Sequence, residues 1–126
     1  MPVYDDSDFN PPAPLAQVTI RIPTSGISVD NVPMLIDSGA DVSLIPRAAV
    51  AHLMESLDSA VQYELEGFDG SKSLAPAVHI ELHFLGKIFR GQFLLVEGRH
   101  GVLRRNVLNA ISLHLNGPSR TWDELR

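Results

Sequence analysis

The sequence contains no cysteine, which excludes disulfide bonds, cysteine-ligated zinc, iron–sulfur clusters and a thiol nucleophile. Aromatic residues are few, at 6% of 126 residues. No apolar run reaches the roughly 20 residues that a membrane-spanning helix needs. The acidic start also lacks the basic and apolar regions of a signal peptide. These absences predict a cytoplasmic protein with no membrane partner.

Basic residues are fewer than acidic ones. The chain has 10 Lys and Arg and 15 Asp and Glu, so its net charge is −5. This balance disfavours a nucleic-acid partner. The hydrophobic content of 44% is that of an ordinary globular protein, and the length predicts a single domain. We place this domain at residues 15–126 and expect residues 1–14, which are acidic and rich in proline, to be a flexible tail.

Apolar and polar residues alternate along much of the domain, as in half-buried strands. Val18, Ile20 and Ile22 follow this period, and residues 78–84 repeat it. Short helices are predicted over residues 48–57 and 107–113, and a final hairpin over 113–122. Many short strands with frequent turns predict an all-β fold, either a small barrel or a closed sandwich, with one or two short helices.

Asp37 follows three large apolar residues directly, in the segment Met34-Leu35-Ile36. Burial of a lone carboxylate there would be unfavourable, but the position is tolerable if the strand ends and the carboxylate faces a cleft. Gly39 permits a tight turn, and the Ser38 hydroxyl can donate to a neighbour. Taken alone, such a pattern is most often an Asx-type turn at the end of a strand.

The wider context resembles the active-site segment of retropepsin-like aspartic proteases. In that family an apolar run leads into Asp-Thr/Ser-Gly-Ala and a second apolar run, as in MLIDSGADVSLIP at residues 34–46. GVLRRNVLN at residues 101–109 resembles the second family motif, an apolar pair before Gly-Arg-Asp/Asn and a short helix. Between these motifs, the position of the family's flap is taken by Gly67, Phe68, Asp69, Gly70 and Ser71.

The resemblance covers about residues 15–117 and implies a small closed antiparallel barrel with a dyad of aspartates that share a proton. It implies a water nucleophile, and neither metal nor cofactor. The chain carries one such aspartate, since Asp69 follows Gly67 and Phe68 rather than an apolar strand. The second carboxylate must be Asp37 of another copy, so the resemblance implies a two-fold homodimer that hydrolyses extended peptides.

The same resemblance implies a role for each residue of the loop. Asp37 is the general acid and base. Ser38 forms a hydrogen bond across the dimer axis. The residues expected to form the active-site loop and to contact substrate are Ser38, Gly39, Ala40 and Asp41.

Arg104 and Arg105 follow the second apolar pair, and we expect different roles for them. Arg105 is expected to brace the loop by an ion pair with Asp41. Arg104 departs from the family pattern, which has glycine at this position. An arginine here either points to solvent or crowds the loop, and the sequence leaves both open.

Two other functions compete with a protease. A non-catalytic dimeric module that keeps the fold and binds peptides is supported by Arg104. A metal-binding β protein is supported by His79, Glu81 and His83, which share one face of a predicted strand and could supply three ligands. The commoner interpretation of that face is the solvated side of an antiparallel sheet.

Overall fold

The computed structural model describes residues 2–56, 61–66 and 72–125. A 3-10 helix spans Arg47–Ser56, and a short α-helix, α1, spans Arg105–Leu108. The strands are β1 (Tyr4–Asp5), β2 (Ala13–Arg21), β3 (Ser28–Ile36), β4 (Leu44–Pro46), β5 (Val61–Glu66), β6 (Lys72–Phe84), β7 (Lys87–Val96), β8 (Gly101–Leu103), β9 (Leu113–Asn116) and β10 (Thr121–Glu124). The predicted all-β class with short helices is confirmed.

Six strands close into a barrel in the order β2-β3-β8-β4-β7-β6, because β2 also pairs with β6. β1 pairs with β2, and β5 pairs with β6, outside this ring. Most pairings are antiparallel, but β3 with β8 and β4 with β7 are parallel. The barrel is therefore closed and mostly antiparallel, as predicted, with two parallel pairings.

The core is filled by alternate residues of the barrel strands, as the two-residue period of a strand requires. The side chains from β2 and its end that are at most 2% exposed are Ala16, Val18, Ile20 and Ile22. The matching set on β6 is Val78, Ile80 and Leu82. Each large aliphatic side chain buried in this way contributes about 1.5–3 kcal/mol to folding.

Gly101 allows β8 to enter the barrel between β3 and β4. A Cβ atom at this position would collide with the carbonyl oxygen of Leu44, Sδ of Met34 and Cδ of Pro46. Because one obstacle is backbone and another is a proline ring, any side chain would push β8 outwards. The absent side chain thus lets β8 run parallel to the end of β3.

The helix after Pro46 is a 3-10 helix rather than the α-helix that its apolar spacing suggests. Val50 interrupts it with non-helical angles, φ −112° and ψ 15°. Val50 and Leu53 are nevertheless both buried, which fits the three-residue period of a 3-10 helix. α1 begins earlier and is shorter than predicted. Neither helix in the described part of the chain is long and apolar enough to cross a membrane.

The C-terminal hairpin predicted over residues 113–122 is confirmed as β9 and β10. Trp122 anchors it to the barrel, because its buried ring lies 6.0 Å from that of Phe84 and its Nε1–H donates to the carbonyl oxygen of Leu15 at 3.1 Å. β1 pairs with Ala13 and Pro14, the first two residues of β2, so residues 2–14 include the start of a barrel strand. Their mobility and the domain boundary after them stay predictions.

Glu81 contradicts the expectation of a solvated face on β6, because it is only 6% exposed. The Arg21 guanidinium approaches its Oε1 at 3.1 Å, and Nε of Arg90 approaches its Oε2 at 2.9 Å. The His83 ring nitrogen Nε2 lies 3.3 Å from Oε1. Two arginine cations thus occupy the carboxylate that a metal ion would need, and His79 remains exposed beside this cluster.

We expect Glu81 to make the fold sensitive to acid. Hydrogen bonds from Arg90, His83 and Arg21 lower the pKa of Glu81 from 4.5 to about 2. A carboxylate with a lowered pKa stabilises the fold above its ordinary pKa, and this contribution is lost as the pH falls towards the folded value. The free energy of unfolding in urea should therefore fall between pH 4.5 and about 2 in the wild type, and less steeply in Glu81→Gln.

The matched control is Glu97→Gln, because Glu97 is almost fully exposed and pairs with Arg47 at 3.4 Å. It should keep the wild-type dependence on pH. If the free energy of unfolding falls equally with pH in the wild type and in Glu81→Gln, the acid sensitivity does not come from Glu81.

Candidate active site

Asp37 lies directly after β3, where the chain leaves the barrel. Its backbone N–H donates to the carbonyl oxygen of Leu103 at 3.0 Å, which extends the pairing of β3 with β8. Its carboxylate is half-buried, and Oδ1 accepts the backbone N–H of Gly39 at 2.9 Å. Oδ2 has no hydrogen-bond partner among residues 2–56, 61–66 and 72–125. One carboxylate oxygen is thus fixed, and the other is available.

Gly39 provides room beside this carboxylate. A Cβ atom on Gly39 would lie 3.0 Å from Oδ1 of Asp37, which is closer than an ordinary contact. Any side chain at position 39 would therefore displace the oxygen that the Gly39 N–H holds. The glycine is needed here for close approach, whereas its flexibility is secondary.

Ser38 faces outwards and lines an apolar groove. Ser38, Gly39 and Asp41 are exposed, and Ala40 is half-buried. The groove has a volume of about 260 Å³, and it is lined by Ile36, Ser38, Leu108, Ile111, Leu113 and Leu115. It brings together the end of β3, the region of α1 and strand β9. The residue next to Asp37 therefore lies at the edge of an apolar surface.

Arg105 contacts the loop through the backbone of Ala40. Its side-chain Nε and its backbone N–H both donate to the Ala40 carbonyl oxygen, each at 3.1 Å. The Asp41 carbonyl oxygen accepts the backbone N–H of Asn106 at 2.9 Å. Within the described residues no ion pair joins Asp41 to Arg105, so hydrogen bonds to the loop backbone replace the expected carboxylate pair.

Ser43 and Asn106 form a second brace, which the sequence analysis missed. Ser43 is fully buried. Its hydroxyl donates to Oδ1 of Asn106 at 2.7 Å and accepts the backbone N–H of Arg104 at 2.8 Å. Its backbone N–H donates to the same Oδ1 at 3.0 Å. A hydroxyl inside the apolar run of residues 42–45 was the available signal, since a buried hydroxyl needs a partner.

Arg104 is half-buried, and its Nε is withdrawn from solvent without a hydrogen-bond partner in the described part of the chain. The side chain is therefore not simply solvated. Among the ion pairs of the described residues, which reach to 4.0 Å, none joins Arg104 to Asp37. The cation thus does not neutralise the candidate catalytic carboxylate.

Two predicted features need separate mention. The flap residues 67–71 lie outside the described residues, although β5 and β6 pair on either side of them from Val61 with Ala77 to Glu66 with Lys72. Metal-ligand atoms come together among the described residues at Asp5, Asp8 and His100. Because Arg99 already pairs with Asp8 at 3.3 Å, this is an ion-pair network, and we assign no cofactor to it.

We expect Asn106→Ala to destabilise the fold by about 1–3 kcal/mol, because the Ser43 hydroxyl and N–H then lose their acceptor. Asn109→Ala is the matched control, since Asn109 is exposed at the end of α1. Unfolding in urea measures both. If Asn106→Ala lowers the free energy of unfolding as little as Asn109→Ala does, Asn106 does not stabilise the fold through Ser43.

The neighbouring arginines should respond to substitution with opposite signs. Arg104→Met removes a buried N–H that has no partner within residues 2–56, 61–66 and 72–125, and it should raise the free energy of unfolding by about 1 kcal/mol. Arg105→Met removes the bond to Ala40 and should lower it by a similar amount. Thermal and urea unfolding of the two variants measure this difference. If both variants change the free energy of unfolding in the same direction, the different roles assigned to Arg104 and Arg105 are wrong.

Solved structures that superpose on this chain include proteases and a protease-like domain. The EIAV protease complexed with the inhibitor HBY-793 superposes with a TM-score of 0.52 at 18% identity, over 78% of this chain and 86% of that chain. A retropepsin-like aspartic protease from Rickettsia conorii gives a TM-score of 0.49 at 11% identity, over 90% of this chain and 82% of that chain. The retroviral protease-like domain of Ddi1 from Leishmania major gives 0.47 at 13% identity, over 89% and 94%.

By sequence, no protein-family model and no curated protein matches the chain. The structural likeness to the EIAV protease therefore carries the comparison, and its low identity speaks for the fold alone. The fold expected from the two motifs is confirmed: the chain has the retropepsin-like fold.

Proposed function

We propose that this protein is an aspartic endopeptidase in which Asp37 of two identical chains activates a water for peptide hydrolysis. The observation that carries the proposal is the position of Asp37. Its half-buried carboxylate lies at the mouth of a retropepsin-like barrel, with Oδ1 held by Gly39 and Oδ2 free of partners in the described part of the chain. Because a fold alone does not define an activity, this geometry is the main support.

The chemistry follows from two carboxylates held close together. At a separation of about 3 Å they cannot both ionise, so they share one proton. The ionised carboxylate takes a proton from water, and the water oxygen bonds to the scissile carbonyl carbon. The protonated carboxylate donates to the carbonyl oxygen. The C–N bond then breaks as the leaving amine receives a proton from the dyad. No covalent bond to the enzyme forms.

The second carboxylate requires a second copy, and the surface beside Asp37 fits one. Ser38 borders the apolar groove described above, and Leu115 on β9 is 47% exposed at its rim. An exposed apolar patch next to a functional loop favours a protein interface. β9 pairs with β10 on one edge, and no other described strand pairs with its second edge. A two-fold axis here would bring the same surface from both chains together.

The remaining roles belong to the same proposal. Gly39, Ala40 and Asp41 would form the floor for an extended peptide, which the hairpin at residues 67–71 would cover. Arg105 would brace the loop from the side opposite the substrate. The cytoplasmic location also stays a prediction.

A non-catalytic peptide-binding module is not favoured. Arg104 was the feature that supported it, since a cation across the carboxylates would block the shared-proton state. The absence of an Arg104–Asp37 ion pair among the described residues removes that support.

Asp37→Asn should lower the hydrolysis of an unfolded protein mixture at least about 100-fold, because the dyad loses its base and its acid. The amide fills the same space and can still accept the Gly39 N–H. Asp30→Asn on the same strand is the matched control and should keep activity, because Asp30 is exposed and accepts the Thr19 hydroxyl at 2.9 Å. Circular dichroism verifies that both variants fold. Unchanged hydrolysis by Asp37→Asn would exclude this residue from catalysis.

Leu115→Glu should dissociate the dimer and abolish activity at concentrations where the wild type is active, because a charge enters the proposed interface. Ile88→Glu is the matched control, since Ile88 is 46% exposed against 47% for Leu115 but lies on β7. Sedimentation velocity and hydrolysis, measured on the same samples, test this. A Leu115→Glu variant that remains dimeric and active would place the interface elsewhere.

A further inference from the structure

A second cavity is formed by parts of the chain that do not carry the active-site loop. It has a volume of about 460 Å³, against about 260 Å³ for the groove beside Ser38. Its lining comes from the turn after β2 and from the middle of β6 and β7, at residues 22–24, 79–81 and 90–91. Binding sites for small molecules usually measure about 300–1,000 Å³. None of these residues takes part in the proposed catalysis, so the cavity needs an explanation of its own.

The cavity lies where β2 turns away from β6. The two strands pair as far as Arg21 with Glu81. The next residue, Ile22, donates its N–H to the Ile27 carbonyl oxygen at 2.9 Å, and Pro23 has no N–H to donate. Between this point and the end of the pairing with β5, no described strand pairs with the same edge of β6. The space beside this edge is therefore open.

Gly91 adds room on the opposite side. It pairs with Ile80 across β6 and β7, and a Cβ atom built on it would meet no atom within 4 Å. Its φ of +148° is one that residues with a side chain rarely adopt. The apolar part of the lining comes from Ile22, Pro23 and Ile80. The cavity thus combines an open space with an aliphatic wall.

Arg90 provides a fixed cation at this wall. Its Nε–H donates to Oε2 of Glu81 at 2.9 Å, and its side chain is 69% exposed against 8% for Glu81. Hydrogen bonds from Arg90, His83 and Arg21 lower the pKa of Glu81 to about 2, so Glu81 is ionised near neutral pH. The terminal amino groups of Arg90 make no hydrogen bond with the residues that the structure describes. A guanidinium held in this way presents a planar set of donors.

The charge around the cavity favours a ligand with one negative charge. Arg21 and Arg90 carry two positive charges against the single negative charge of Glu81, in a chain whose net charge is −5. Glu81 is the one carboxylate among the described lining residues. Thr24 and His79, both exposed, add a hydroxyl and an imidazole ring. A doubly charged anion would be repelled by Glu81, whereas a single charge matches the local excess.

We propose that this cavity binds a small monocarboxylate with an apolar body. The carboxylate oxygens accept hydrogen bonds from the terminal amino groups of Arg90, because a guanidinium matches a carboxylate through two parallel hydrogen bonds. The apolar body lies against Ile22, Pro23 and Ile80. The site does not depend on the proposed catalysis, because its residues and its readouts are separate from Asp37.

The test compares 4-phenylbutyrate with its neutral amide, 4-phenylbutanamide, at about pH 7.5, where carboxylic acids are ionised. Each compound is titrated into the full chain, and the backbone N–H signals of Thr24, Glu81 and Gly91 are followed by NMR. We expect saturable shifts at these residues, with the amide at least about tenfold weaker because it lacks the charge. Acetate and inorganic phosphate should also be weaker than 4-phenylbutyrate, since neither has an apolar body to bury.

Arg90→Met should weaken the binding of 4-phenylbutyrate about tenfold and remove its advantage over the amide. Arg99→Met is the matched control, because Arg99 is also an exposed arginine that pairs with one carboxylate, at 3.3 Å from Asp8, and it lies outside the cavity. It should keep the wild-type affinity.

Thr24→Glu gives an independent measurement if Arg90→Met does not fold, because Thr24 is exposed and the Glu81 cluster stays intact. The added carboxylate should compete for Arg90 and weaken the acid about tenfold, while the amide binds as it does to the wild type.

Several outcomes would overturn the carboxylate site. They are equal affinity for the acid and the amide, wild-type affinity in Arg90→Met or Thr24→Glu, and equal weakening in Arg99→Met. Acetate or phosphate that binds as tightly as 4-phenylbutyrate would show a plain anion site and exclude the apolar wall. The absence of saturable shifts at millimolar concentrations of 4-phenylbutyrate would exclude the site altogether.

Discussion

The insertion of β8 between β3 and β4 is the constraint on which the site depends. It is possible because Gly101 has no side chain where Leu44, Met34 and Pro46 close in. Once β8 is in place, its last carbonyl oxygen holds the N–H of Asp37. A larger residue at position 101 would move the strand that positions Asp37, even though it lies outside the active-site loop.

Hydrogen bonds to backbone atoms and to Asn106, rather than ion pairs, hold the loop around Asp37 in the described part of the chain. Arg105 binds the Ala40 carbonyl oxygen, and the Ser43 hydroxyl binds Asn106 and the Arg104 N–H at the start of α1. This arrangement suits the proposed chemistry, because a cation beside Asp37 would favour the ionised form and oppose the sharing of a proton. Arg21 and Arg90, whose guanidinium groups meet the Glu81 carboxylate, lie on β2 and β7 and make no ion pair with Asp37 among the described residues.

Local sequence pattern was sufficient where the structure depends on neighbours along the chain. The two-residue period located the buried faces of β2 and β6, and the run before Asp37 located the end of β3. The same alternation assigned Glu81 to a solvated face, because it could not show that β2 closes the barrel against β6 and brings Arg21 over it. A two-residue period shows which side chains share a face of a strand, but it does not show which residues pack over that face.

Contacts between distant segments account for the other differences. The sequence could not show that Arg99 and His100 lie opposite Asp8. Asn106 has no visible role until β8 brings it to Ser43. Arg104 could be recognised as unusual, but the burial of its Nε depends on packing that no local pattern encodes.

Mixed dimers test the shared dyad most directly. Equal amounts of wild-type and Asp37→Asn chains, unfolded together and refolded well above the dimer dissociation constant, should form about one quarter wild-type dimers by random pairing. Mass spectrometry of tagged chains verifies the pairing. If both Asp37 carboxylates are required, hydrolysis should be about one quarter of that of the same total amount of wild-type chain. A value of about one half would show that each chain acts alone and would contradict a site built from two copies.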